Sequence, residues 1–355
     1  MIPELANLGT GTTLLISEIV MRILVTGGLG FIGSTFCNYI IKEHSDYQVT
    51  NVDKIGTGAN PENLLNLEKE NRYTFVRGDI CDSSLTNALV KDVDAIVNIA
   101  AETHVDRSIR DPVPFFENNT RGTLTLLEAV RKCSNNVTFT QVSTDEVYGE
   151  SIEDPFTEKD MPKPSNPYSA SKAAADMFVM AYHKTYNLKA NVTRCTNNYG
   201  PYQFPEKFIP KIIIRALKNL RIPVYGSGEN IRDWLYVRDH CQAIDLVLRR
   251  GQPGEIYNVS AGNELSNIQV AQRTLALLGK PESLITLVED RPGHDLKYSL
   301  DSRKIRSELD WKPRYQFEEG LKATVDWYKN NRQWWKRLAT EKNLHPTPWK
   351  LSDPR

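Results

Sequence analysis

Residues 22–33 read RILVTGGLGFIG. The opening RILVT is short, apolar and rich in β-formers, and glycine ends it. Such a run reads as a buried strand of a parallel sheet. Glycines then fall at 27, 30 and 33, a G-x-x-G-x-x-G spacing, and a helix-like run covers residues 31–42. Gly27 permits a tight turn, Gly30 lets backbone approach a pyrophosphate, and Gly33 lets helix and strand pack closely. The helix N-terminus offers free N–H groups to phosphates. A glycine pattern gains meaning when a strand precedes it and a helix follows, as here.

Outward from this unit the alternation continues. Strand candidates lie at residues 48–53, 73–79, 94–101, 136–143 and 190–195, with a helix expected over 168–186. Strand–helix repetition predicts an α/β fold, a doubly wound parallel sheet covered on both faces. Residues 21–200 are expected to form this main domain. After Gly200 the texture changes, and GPYQFPEKFIP carries three prolines. Residues 201–330 read mainly as a smaller C-terminal substrate-binding lobe, with segments returning to the main sheet, and 331–355 as a tail. Trp334 and Trp335 in that tail read as packing or interface residues. Met21 stands directly before the first strand, so translation is expected to start there. The alternative is a genuine N-terminal arm over residues 1–20.

Composition narrows the classes. The chain has 355 residues, with 44 Lys+Arg against 44 Asp+Glu. That balance leaves no electrostatic footprint for nucleic acid or an anionic membrane. Five scattered cysteines form no CxxC pair and suit neither a disulfide framework nor a metal site. A reducing cytoplasm is the expected location. No apolar run approaches the ~18 residues of a membrane span.

Asp53 closes the second strand, 20 residues beyond Gly33. An acidic side chain there accepts hydrogen bonds from ribose hydroxyls and repels a 2′-phosphate, which favours NAD over NADP. Lys54 beside it weakens the repulsion slightly. Asp79 is placed to contact adenine, or else is a turn aspartate.

Tyr168 and Lys172 stand in Y-S-A-S-K and share one helical face. An unperturbed tyrosine titrates near ~10, too high for a base at neutral pH. A neighbouring ammonium favours the phenolate, so Lys172 is expected to lower Tyr168. Tyr168 can then take a proton from a substrate hydroxyl as hydride leaves the same carbon. Residues 143–149 read STDEVYG. Asp145 and Glu146 are adjacent, so both reach one ligand only if the strand breaks into a loop there. Two carboxylates beside a redox site suit an elimination, provided their environments separate their pKa values. In a random loop the same pair would be a solvated acidic turn.

At these residues the chain resembles the dTDP-glucose 4,6-dehydratase family of the extended short-chain dehydrogenase/reductase superfamily. The likeness runs over residues 21–327. It includes TGGLGFIGS, VDK, GDI, AAETHVDRSI, STDEVYGE, PYSASKAAAD, NNYGPYQFPEKFIP, PVYGSGENIRDWLYVRDH and DRPGHD. TDEVYG discriminates best, because related epimerases place small hydroxyl residues where the two carboxylates stand.

The resemblance implies a Rossmann-type fold, bound NAD, a nucleotide-sugar substrate and a 4-keto-6-deoxy product. Tyr168 would be the base, Thr144 would hydrogen-bond the sugar O4, Glu146 would take the C5 proton, and Asp145 would protonate the departing C6 oxygen. Gly27, Gly30, Phe31, Ile32, Gly33, Asp53, Lys54, Asp79, Ile80, Ala100, Ala101, Thr120 and Asn198, with Tyr168 and Lys172, would surround NAD. Thr103 and Asn197 would face the sugar. Lys207, Arg232, Asn267, Arg291 and His294 would serve the diphosphate and nucleoside. Arg forks match phosphate oxygens. Structural ion pairs are the alternative for Arg232 and Arg291, and a loop or core position for His294. The resemblance also implies a homodimer through helices near residues 114–131 and 166–186.

Two stretches depart from the family. IGTGAN follows VDK where relatives often carry a TYAGN-like run, and LKY follows DRPGHD where an arginine often stands. Both leave the nucleotide preference less fixed than the reaction. Competing readings are a UDP-glucose 4,6-dehydratase, a sugar-nucleotide C4 epimerase, and, in another class, a non-catalytic NAD-binding regulator.

Overall fold

A computed structural model describes residues 21–133, 136–151 and 153–351. The start-site expectation for residues 1–20 lies outside these residues.

Strands run β1 Met21–Thr26, β2 Tyr47–Asp53, β3 Tyr73–Arg77, β4 Ala95–Asn98, β5 Thr138–Thr144, β6 Ala190–Cys195, β7 Asn197–Tyr199, β8 Ile222–Tyr225, β9 Ile231–Tyr236, β10 Ile256–Val259, β11 Glu264–Ser266 and β12 Ile285–Val288. Seven form one sheet, ordered β10-β6-β5-β4-β1-β2-β3, with every pairing parallel. The order reverses between β1 and β4. In such sheets ligands bind beyond the carboxyl ends of the strands at this switch point. The expected doubly wound architecture is therefore present. β10 is the segment of the later chain that returns to the main sheet.

The β1 side chains explain why both faces are covered. Ile23 and Val25 point to one face, where Phe36 and Ile40 of the helix Phe31–Glu43 and Ile244 of the helix Val237–Arg250 meet them. Leu24 points to the other, against Leu126, Leu127, Val130 and Val179. Alternation with apolar residues at every position is what a doubly buried strand requires.

Two small sheets, β11-β9-β7 and β12-β8, complete the fold. A separate core gathers Tyr199, Trp234, Phe317 and Tyr328 around them. The expected tail is corrected here. Residues Arg332–Leu338 form a helix, and Trp334 and Trp335 are buried in that core. Trp334 Nε1 donates to Asn63 Oδ1 at 2.8 Å, tying the helix to the main domain.

The helix Pro167–Tyr186 begins where its sequence dictates. The Asn166 side chain accepts from the Ser169 N–H at 3.0 Å, the Ser169 hydroxyl pairs back to the Asn166 N–H, and proline fills the first turn. The helix is pinned to β6 by Arg194 and Asp176, a buried ion pair at 2.9 Å.

Candidate active site

A cavity of about 270 Å³ opens beyond the carboxyl ends of β1, β2, β4 and β5. Its floor is the glycine turn. Gly27 has φ +70, and a Cβ there would lie 2.6 Å from Ala100 Cα. A Cβ on Gly33 would run into the Gly27 carbonyl and lie 2.8 Å from Gly28 Cα. Gly30 caps the helix Phe31–Glu43 without a side-chain bond, so its N-terminus is open to an anion. This cradle, which a side chain would fill, fits a dinucleotide. Asp53 Oδ2 accepts from the Leu29 N–H at 3.0 Å and Oδ1 from the Ile55 N–H at 2.7 Å. It therefore shapes the glycine turn as well as facing the cavity. Burial raises its pKa, and the two N–H donors oppose this.

Phe31, Ile32, Lys54, Asp79, Ile80, Ala100, Ala101, Thr103, Asn197, Asn198 and Lys207 line the same cavity, as do Thr144, Asp145, Glu146, Tyr168 and Lys172. Lys54 reaches Asn118 and pairs with Asp79 at 3.5 Å. Thr120 does not line the cavity. Its hydroxyl donates to the Ser171 carbonyl at 3.0 Å, which ties it to the helix that bears Tyr168.

β5 ends at Thr144, and Asp145–Tyr148 form a 3-10 turn. The strand thus breaks where the adjacent carboxylates require it. Gly149, at φ +82, closes the turn in a conformation suited to glycine. Thr144 Oγ1 accepts from the Glu146 N–H at 3.3 Å and lies 3.0 Å from Asp145 Oδ1 as its donor. Asp145 Oδ2 is buried without a partner among the described residues. Burial, with Glu146 beside it, raises the Asp145 carboxyl to about 8, so it holds a proton at neutral pH. Burial raises Glu146 too, but Arg291, Arg232 and Lys207 pull it back, and Asn166 Nδ2 donates to Oε2 at 3.5 Å.

Tyr168 corrects one expectation. Burial, then Glu146, pushes its phenol well above the ordinary value, while the Thr144 hydrogen bond works against this. Lys172 is not among the main groups that act on Tyr168. Its Nζ donates to the Val142 carbonyl at 2.7 Å, and burial lowers its own pKa against Asp176 and Cys195. The protein's own groups therefore keep Tyr168 a phenol.

A second cavity of about 160 Å³ shares Thr103, Glu146, Asn197 and Lys207 with the first and adds Arg232, Asn267, Arg291 and His294. Lys207 Nζ donates to the Thr103 carbonyl at 2.8 Å, and Asn197 Oδ1 is buried and unpartnered. Arg232 donates to the Ile231 and Asp295 carbonyls at 2.7 and 2.8 Å and lies over the Tyr298 ring. Arg291 pairs with Asp106 at 2.9 Å, while its buried Nε has no partner among the described residues. His294 Nδ1 sits 2.6 Å from Asp290 Oδ1. Asn198 Oδ1 meets His240 Nδ1 at 3.0 Å. Sequence reasoning missed Asn166, Asp106, Tyr225 and Tyr298. Only Asn166 carried a local signal, the N-P pair before Y-S-A-S-K.

The GDP-mannose 4,6 dehydratase family model matches residues 24–324. The chain belongs to this family. Among its relatives, the dTDP-glucose 4,6-dehydratase of Streptomyces niveus is 47% identical over 332 residues, 92% of this chain and 98% of that one. The dTDP-glucose 4,6-dehydratase of Bacillus anthracis, solved in complex with NAD, is 46% identical and superposes with TM-score 0.85 over 90% of this chain and 100% of that one. The Streptomyces venezuelae enzyme of the same name, solved with NAD and TYD bound, is 44% identical with TM-score 0.88 over the same shares.

Proposed function

We propose that this chain is an NAD-dependent dTDP-glucose 4,6-dehydratase, a hydro-lyase. One observation carries the reading. Asp145 and Glu146 share a cavity with Thr144 and Tyr168; burial raises both carboxyls, that of Asp145 to about 8, while at Glu146 the cations Arg291, Arg232 and Lys207 oppose the rise. An acid and a base side by side are what elimination of water needs.

The glycine cradle, Asp53 and Lys172 would hold NAD, and Arg291, Lys207 and Asn267 would hold the nucleotide diphosphate. Bound NAD supplies the acceptor and donor of a hydride, and its positive charge favours the Tyr168 phenolate. Tyr168 Oη takes the proton of the sugar O4 hydroxyl, with Thr144 beside it. Glu146 removes the C5 proton, which a C4 ketone acidifies, and returns a proton to C5 as C6 regains hydride. Asp145 delivers its proton to the C6 oxygen, which leaves as water. The C4 carbon ends oxidised and C6 reduced, so the reaction needs no net oxidant. The product is dTDP-4-keto-6-deoxy-glucose, a precursor for deoxysugars.

The same reading includes a homodimer. Phe116, Met177 and Phe178 are large, exposed apolar residues on the segments expected to pair. Light scattering should give twice the chain mass. Five free cysteines suit a reducing compartment, which supports the cytoplasm. Among the described residues no helix is long and apolar enough to cross a membrane.

The reading is tested by incubating the purified protein with dTDP-glucose and, separately, UDP-glucose without added NAD, and following loss of water by mass spectrometry. Loss from dTDP-glucose alone supports it. Loss from UDP-glucose alone keeps the chemistry and changes the substrate. No loss from either, even with NAD added, rejects it.

A further inference from the structure

Residues 339–351, after the helix Arg332–Leu338, stay against the molecule. The Leu344 carbonyl accepts from Arg215 at 2.7 Å, and the His345 carbonyl from Lys211 Nζ at 3.3 Å. Leu344 and Pro348 are buried. The short turn Pro348–Lys350 packs against the helix Val105–Arg110. Trp349 meets Tyr225 edge to face, with centroids 4.7 Å apart and planes at 82°. Lys350 pairs with Glu289, two residues before Arg291.

These contacts converge on one wall of the second cavity. The Tyr225 hydroxyl donates to Asp106 Oδ2 at 2.9 Å, and Arg291 donates to Asp106 Oδ1 at 2.9 Å. Asp106 is thus held from both sides, and its position fixes the guanidinium. Trp349 itself does not line the cavity, although Tyr225, Asp106 and Arg291 do. A long cationic side chain loses rotamer freedom when it grips a phosphate, and fixing it beforehand raises affinity.

We propose that residues 344–351 form a strap that sets affinity for the nucleotide end of the substrate, with Trp349 a positioning residue that acts through Tyr225 and Asp106 on Arg291. This role rests on the nucleotide-sugar reading above. Trp349 touches neither the carboxylate pair nor the glycine cradle, so it reaches the site only through Arg291, and its main effect should fall on binding, with a smaller one on kcat because Arg291 also acts on Glu146.

The test uses the full-length protein with dTDP-glucose. Trp349→Ala should raise KM about tenfold and leave kcat within about twofold. Bound NAD content should stay at the parent level. Trp349→Phe, which keeps an aromatic edge, should restore most of the affinity. Tyr225→Phe keeps the ring and removes the bond to Asp106, so it tests the path even if Trp349→Ala fails to fold. The double variant Trp349→Ala/Tyr225→Phe should be little worse than the weaker single, because both cut one path. KM at the parent value in Trp349→Ala and Tyr225→Phe, or a fall in kcat with KM unmoved, overturns the strap alone. A parent that turns over neither dTDP-glucose nor UDP-glucose overturns the functional reading and the strap with it.

Discussion

Asp145 and Glu146 are neighbours in sequence, and burial raises both, but Glu146 is opposed by more cations than Asp145. Asp145 Oδ2 is buried with no partner among the described residues, whereas Glu146 takes a hydrogen bond from Asn166 and sits among Arg291, Arg232 and Lys207. The 3-10 turn that follows Thr144 makes this possible, since a continued strand would send the two side chains to opposite faces. The division of labour proposed for this pair would therefore originate in a backbone break, set by the Thr144 cap and Gly149.

Replacing either carboxylate should stall elimination after the first oxidation. Asp145→Asn and Glu146→Gln should each lower kcat by roughly 10²–10⁴-fold, the usual contribution of a positioned acid or base. Reduced-nicotinamide absorbance should build up on these variants when substrate is added. Tyr168→Phe should be as slow and show no such build-up. Full turnover in both carboxylate variants would remove their assigned roles.

The raised Asp145 carboxyl gives a pH limit. Its folded pKa, about 8, lies above the unfolded value, so the acid form is present below it and is lost as pH rises through it. If Asp145 delivers the proton, kcat should fall roughly tenfold per pH unit above about 8. Stability follows the same sign. The folded state holds a proton the unfolded chain releases, so this group's contribution fades from the unfolded carboxylate range up to about 8. Asp145→Asn should flatten the decline of the melting temperature over that window.

The Arg194–Asp176 pair should matter for stability more than surface pairs do. Both side chains are almost fully buried, and Arg194 also lies 4.6 Å from the Tyr148 ring centroid. Asp176→Ala leaves the guanidinium buried and unpaired, at a cost on the order of 3–5 kcal/mol. Denaturant unfolding would measure this. The loss should carry activity with it, because Asp176 lies one turn beyond Lys172 on the helix that presents Tyr168.

Much of this fold could be read from the chain. The glycine turn, the strand–helix alternation and Y-S-A-S-K are local patterns, and they placed β1, β6 and the helix Pro167–Tyr186 within a residue of their observed ends. What escaped was non-local. Asp106 becomes part of the cavity only because β8 and the loop bearing Arg291 fold against it, 119 and 185 residues away. Lys172 shows the same limit. Its i+4 spacing from Tyr168 suggested a charge pair, but the Val142 carbonyl on β5 competes for the ammonium and wins it. Trp334 and Trp335 carried no periodic signal long enough to reveal that the final helix docks back on the body.

Gly33→Ala should weaken both cofactor retention and folding. Its Cβ would press into the Gly27 carbonyl, forcing the turn that faces the cavity to shift. Gly33 also sets how closely the helix Phe31–Glu43 packs on β1, so the variant should melt below the parent and its folded fraction should carry much less bound NAD. Parent-level cofactor content would show that the turn does not cradle it.

The central claim is that one site oxidises C4, expels water and reduces C6 without a net oxidant. It is tested most directly with dTDP-glucose carrying deuterium at C4, incubated with the protein and no added NAD. The account predicts a dehydrated product with the deuterium at C6, read by mass spectrometry and NMR. Deuterium still at C4 in recovered sugar, or lost to solvent from a dehydrated product, would contradict it.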